Sequence, residues 1–177
     1  MASAINRAQF LRGDFRGERT PTRPPWAVDE IEFVDRCIRC DQCITNCPEH
    51  ILVKGQGGFP QVDFLRGECT FCHACVDQCH EQALIFNPHS TPWQLKAQIN
   101  ESCIAMQGVV CMTCSEQCEV EAIHFQHRVG GAPLPQVNVD ECTGCGACYK
   151  PCPTKAINLV QNSIPNDIHE IPVMEAI

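Results

Sequence analysis

The sequence predicts an α+β protein of two tandem modules, each made of two cysteine runs joined by a β-hairpin, behind a flexible N-terminal arm. Three observations carry that expectation. The chain's 16 cysteines fall into four quartets with none left over. Strand-like segments with a glycine turn separate the first quartet from the second and the third from the fourth, whereas the middle joint has no such turn. Residues 1–28 show no sustained period and contain Pro21, Pro24 and Pro25. The expected boundaries are 1–28 for the arm, 29–90 and 91–162 for the modules, and 163–177 for a C-terminal tail.

The arm carries five arginines (Arg7, Arg12, Arg16, Arg19, Arg23) against Asp14 and Glu18, a local charge of +3 in a chain whose net charge is −8. The remainder is therefore strongly acidic, which argues against a general nucleic-acid surface. Within the arm, Ala8–Phe15 has the pattern of one amphipathic turn. The first run follows: Cys37, Cys40, Cys43 and Cys47, spaced C-x2-C-x2-C-x3-C and followed by Pro48. Residues 51–63 then read as two short strands about a glycine turn. Cys69, Cys72, Cys75 and Cys79 repeat the first spacing, and Ala83–Phe86 reads as a strand. The joint at 87–96 holds two prolines and leads into either a short helix or a strand. Cys103, Cys111, Cys114 and Cys118 form an irregular third run, with seven residues between its first two cysteines. Residues 122–139 repeat the hairpin pattern. Cys142, Cys145, Cys148 and Cys152 restore the regular spacing, followed by Pro153, and Ala156–Val160 reads as a final strand.

Two x2 steps and an x3 step wrap three thiolates round one face of a 4Fe–4S cluster and send the fourth to another cluster. Zinc sites instead use C-x2-C pairs set apart by long loops. The chemistry expected is therefore four 4Fe–4S clusters, the third-run cluster being the least regular. A glycine-turned hairpin between two runs is how a two-cluster, bacterial-ferredoxin-like module joins its halves. Crossing the fourth thiolates within each module assigns Cys37, Cys40, Cys43 and Cys79 to one cluster, and Cys69, Cys72, Cys75 and Cys47 to the next. The third takes Cys103, Cys111, Cys114 and Cys152, and the fourth Cys142, Cys145, Cys148 and Cys118. A nested pairing of run one with four and two with three stays open, since spacing does not fix connectivity. Gly144 and Gly146 are expected to let the backbone approach the fourth cluster. Pro48 and Pro153 are expected to fix the exit turn, with His80 and Glu119 in that place in the other runs. His73, His80, His124 and His127 read as structural rather than as ligands, because every quartet is complete.

No apolar leader precedes Trp26 and no stretch is long enough to cross a membrane, so a cytoplasmic location with reduced thiols is expected. No P-loop, dinucleotide fingerprint or nucleophile elbow is present, and no catalytic residue is identified.

The Arg-rich leader, Arg23-Pro-Pro-Trp26, the first run, Gly57-Gly-Phe-Pro60 and the x7 third run together resemble the NapF family. These are ferredoxin-type accessory proteins of periplasmic nitrate reductase. The resemblance implies an accessory protein rather than an enzyme. Its implied partners are the precursor of the nitrate reductase catalytic subunit and an electron donor protein, and its implied role is maturation before export, by electron or iron–sulfur supply. The alternative is an electron-transfer subunit of a larger oxidoreductase complex.

Overall fold

The computed structural model of the chain describes residues 21–161. Among them, helix α1 (Glu30–Arg36) is followed by three one-turn helices, α2 (Gln42–Thr45), α3 (Ala74–Asp77) and α4 (Thr113–Glu116). The strands are β1 (Leu52–Lys54), β2 (Pro60–Val62), β3 (Leu95–Ile99), β4 (Ile123–Arg128), β5 (Gly131–Val137) and β6 (Ile157–Gln161). The fold is α+β. Strands pair as antiparallel two-stranded ribbons, β1–β2, β3–β6 and β4–β5.

Ribbons of this size bury too little to stand alone. The core is accordingly shared with cysteines. One cluster joins Phe33, Ile51, Leu52, Phe59 and Leu84 to Cys47 and Cys75, and another joins Ala97, Ala122, Ile123 and Ile157 to Cys142 and Cys148. Each half has an inner hairpin between its two cysteine runs and an outer pairing of its ends. In the second half the outer pair is β3–β6, running from Leu95↔Gln161 to Ile99↔Ile157. In the first half it shrinks to one bridge, Ala27↔Leu84, so the strand expected at Ala83–Phe86 is a single contact. The joint at 87–96 leads into a strand.

Residues 21–28, expected in the arm, are packed against the first half. Arg23 donates from Nε and Nη2 to the Glu30 carboxylate at 2.9 and 2.7 Å, and its guanidinium lies 4.8 Å from the centre of the Phe33 ring. Pro24 is fully buried, and Val62 N donates to Thr22 O at 2.8 Å. An extended Pro-rich segment docks through its backbone and one guanidinium, which leaves no periodicity to read. The rest of the arm, including Ala8–Phe15, and the tail at 163–177 lie outside the described residues.

α1 starts at Asp29, whose side chain accepts from the N–H groups of Ile31 and Glu32. This satisfies two of the donors left free at a helix start. The two halves meet through few, specific contacts. Cys69 N donates to Cys145 O at 2.8 Å, Trp93 Nε1 to Thr143 O at 3.1 Å, and Lys150 Nζ to Arg66 O at 3.0 Å. The Phe64 ring packs against both Trp93 and Tyr149.

Candidate metal centres

The regular runs share a backbone device that residue type conceals. In each, the residues on both sides of the middle cysteine take positive φ: Arg39 and Asp41 (60° and 62°), Phe71 and His73 (53° and 63°), Gly144 and Gly146 (74° and 88°). Two left-handed residues around one cysteine curl the chain so that three thiols face one side. Glycine adopts this conformation freely, whereas other residues are strained in it. Only the fourth run uses glycine, and packing gives a reason for it. A Cβ on Gly144 would stand 2.4 Å from Leu95 O, and one on Gly146 would stand 2.1 Å from the Phe64 ring. The glycines make room for neighbouring protein.

A second device follows every run. Three residues after the fourth cysteine stand His50, Gln82, Glu121 and Lys155, with φ between 51° and 55°. Each donates its N–H to that cysteine's carbonyl, at 3.0–3.2 Å. The next N–H, from Ala122 or Ala156, then reaches the Cys118 or Cys152 sulfur at 3.3 Å. The turn is the same with Pro48 or Pro153 after the cysteine as with His80 or Glu119, so the proline is not what fixes it.

These turns bring the sixteen thiols to four cavities. Cys37, Cys40, Cys43 and Cys79 line one, and Cys47, Cys69, Cys72 and Cys75 another. Cys118, Cys142, Cys145 and Cys148 line a third, and Cys103, Cys111, Cys114 and Cys152 a fourth. Each cavity takes three thiols from one run and the last from the other run of its half. The thiols stand around a space: among the described residues, no three His, Cys, Asp or Glu converge on a position for a single metal ion. Such a donor set suits a multi-atom cluster held by thiolates.

Polar support is sulfur-directed. Phe71 N and Ala97 N donate to Cys69 Sγ and Cys142 Sγ at 3.4 Å, and Thr113 Oγ1 lies 3.7 Å from Cys111 Sγ. Burial pushes the Cys43, Cys69, Cys75 and Cys148 thiols up to about 12, and Cys114 up to about 11; neighbouring thiols add to the rise. Cys37 and Cys145 are raised by burial too. A thiolate is thus costly in these cavities without a cation to face it. Of the histidines, His73 packs on Trp26 with ring centres 4.6 Å apart, and His124 lies 3.8 Å from the Glu141 carboxylate. His80 lines the first cavity beside its four thiols.

Thiol-lined cavities on this small α+β frame define an iron–sulfur protein of ferredoxin type. The 4Fe-4S dicluster domain family matches residues 36–85 and the 4Fe-4S binding domain family residues 135–158, and the chain binds multiple 4Fe–4S clusters. Over 153 residues it is 42% identical to the ferredoxin-type protein NapF of Escherichia coli (strain K12), spanning 86% of this chain and 92% of that one. Over 165 residues it is 43% identical to NapF of Haemophilus influenzae, spanning 88% and 93%. The chain belongs to the NapF family of ferredoxin-type proteins. It is also 33% identical over 172 residues to the methylamine utilization ferredoxin-type protein MauM of Methylobacillus flagellatus, spanning 86% and 72%. No helix among the described residues is long and apolar enough to cross a membrane.

Proposed function

We propose that the chain is a cytoplasmic four-cluster iron–sulfur protein that assists maturation of the periplasmic nitrate reductase catalytic subunit before export, by supplying electrons or iron–sulfur units. The observation that carries this reading is the division of all sixteen thiols among four separate cavities in a NapF-family chain. In this reading the two halves are tandem two-cluster modules, and the ligand sets are the crossed quartets that line each cavity. Bound there, the clusters supply one-electron transfer. The chain's own residues hold the thiolates apart, aim N–H groups at sulfur, and exclude water from Cys47, Cys75, Cys142 and Cys148, which are buried.

Anaerobically purified protein should carry about sixteen iron atoms per chain, four to a quartet. It should capture the signal-bearing precursor of the catalytic subunit in preference to the mature form. A second reading, the permanent electron-transfer subunit, is favoured by the exposed apolar side chains of Met106, Val109, Val110 and Met112, a face that a fixed partner would cover. Equal capture of precursor and mature subunit would select it.

A further inference from the structure

The third run departs from the other three by an insertion, and the inserted residues carry a surface of their own. Between its first two cysteines stand residues 104–110, where each regular run has only two residues. Tight turns fold the insertion back on itself: Met106 N donates to Cys103 O at 3.0 Å, and Gly108 N to Ala105 O at 3.2 Å. Ile104 lines the cavity of Cys103, Cys111, Cys114 and Cys152, and Ala105 is buried. Met106, Val109 and Val110 are left outside together with Met112, and the two valines are 55% and 70% exposed. Spanning the gap between two cysteines requires no apolar side chain in water, and exposed apolar patches mark interaction sites.

The charge along this stretch is one-sided. Glu101, Glu116, Glu119 and Glu121 are exposed next to the insertion in the chain, and no lysine or arginine stands between Lys96 and Arg128. Lys96 is engaged elsewhere, its Nζ donating to Cys142 O at 2.7 Å. Among the described residues none of the four carboxylates pairs with a lysine or arginine. In the first half, by contrast, Glu32, Asp41 and Asp63 pair with Arg36, Lys54 and Arg66. Carboxylates left unpaired around an apolar patch repel anionic lipid and nucleic acid and attract a cationic rim. Val110 and Met112 flank Cys111, so a molecule seated on the patch stands next to the third site.

We infer that the third-run insertion, with Met106, Val109, Val110 and Met112 framed by glutamates, is the docking face for a protein partner that presents lysine or arginine side chains around an apolar patch. Residues 1–20 contain cations as well, but residue 21 enters at the first half, where Thr22 O accepts from Val62 N, and the third run belongs to the other half. The partner's chemistry is the same whether the contact is lasting or brief and whether or not the partner is a nitrate reductase subunit. Capture of the precursor tests that other reading separately.

The probe is a short fluorophore-tagged peptide of alternating lysine and leucine, its binding to the anaerobically purified full chain read by anisotropy. It should bind, and bind less as salt rises to about 0.15 M, where the Debye length is about 8 Å. The same peptide with glutamate in place of lysine should not bind. Glu101→Gln combined with Glu119→Gln should weaken binding about tenfold, and so should Val109→Ser combined with Val110→Ser, which leaves the charge alone. Glu49→Gln combined with Asp77→Asn removes as much charge from exposed positions of the first half and should weaken it less than about twofold. Equal losses in the two charge variants would mean that the peptide senses net charge alone, and would overturn the inference. Unchanged binding in the valine variant would overturn it too; if that variant sheds iron, Met106→Gln is read in its place. A wild-type chain that ignores the peptide would also overturn it, and binding regained on Arg7→Gln, Arg12→Gln and Arg16→Gln would then name the chain's own arm as the occupant.

Discussion

A thiol at Cys43, Cys69, Cys75 or Cys148 that ionises alone does so in surroundings that have pushed its pKa up to about 12, because burial removes the water that would solvate the charge. Between about pH 6 and 9 the empty sites therefore keep these thiols protonated, and binding iron as a thiolate complex releases those protons. The sign follows directly. Raising pH helps loading and lowering it helps release, across a window that lies wholly below the raised pKa values. Reconstitution at pH 8.5 should leave more iron per chain than at pH 6.5, read by iron and sulfide assay; an equal content at both would count against thiolate ligation. The proposed crossing of the fourth thiols is tested at the same scale. Cys79 lines the cavity of Cys37, Cys40 and Cys43, not that of its own run, and raises the Cys43 thiol along with Cys37 and Cys40. Cys79→Ser should accordingly disturb the first run's cluster more than the second's. Loss of the EPR signal belonging to Cys69, Cys72 and Cys75 instead would reject the crossing.

Among the elements, the fourth run is the one whose shape depends on glycine. Gly146→Ala would add a Cβ 2.1 Å from the Phe64 ring at a residue with φ 88°, whereas Gly108, at φ 90°, has open space around it. Left-handed backbone costs a non-glycine residue about 1–2 kcal/mol, and only the Gly146 variant adds a clash to that. Gly146→Ala should lower the thermal midpoint of the holoprotein by several degrees more than Gly108→Ala; equal shifts would mean Phe64 moves aside freely. The third run differs in kind. Its extra residues form tight turns, with Met106 N donating to Cys103 O at 3.0 Å and Val109 N to Ile104 O at 3.0 Å, while Met112, at φ −125°, lacks the left-handed twist of the other runs. A longer loop raises the cost of holding Cys103 by roughly half a kcal/mol or more. Iron should therefore leave the Cys103, Cys111, Cys114 and Cys152 site first under a chelator, as a fast phase near a quarter of the total. A single phase from all sites would contradict this. Sequence spacing displayed the thiol quartets and both hairpins because the repeat is carried by residue type. It hid the left-handed positions at Arg39, Asp41, Phe71 and His73, since none is a glycine and the strain is imposed by the run as a whole. It also hid the docking of residues 22–26, where prolines suppress the periodicity by which packed segments are recognised.

At the scale of the whole molecule, the order of the sites in space departs from their order in the chain. Within the first half, Cys75 feels the charge of Cys43, so the cavities of the first and second runs are neighbours. Within the second half, Cys148 feels Cys114, which links the third and fourth in the same way. Across the halves the link is Cys69 with Cys145: one backbone hydrogen bond of 2.8 Å joins them, and each lies in a different thiol-lined cavity. The spatial sequence is thus first, second, fourth, third, with the irregular third site at one end. The contacts that hold the joint, Phe64 against Tyr149 and Lys150 Nζ to Arg66 O, gather around the second and fourth runs, and none of them involves the third. This arrangement makes a magnetic prediction that chain order does not. In fully reduced protein, the second and fourth clusters should broaden and relax each other's EPR signals, and Cys145→Ser should narrow the second cluster's signal. Removing the third cluster with Cys111→Ser should leave the second cluster's line shape unchanged while altering the fourth's. If Cys111→Ser narrowed the second cluster's signal instead, the sites would follow their order along the chain, and the Cys69–Cys145 contact would not be the junction between the halves.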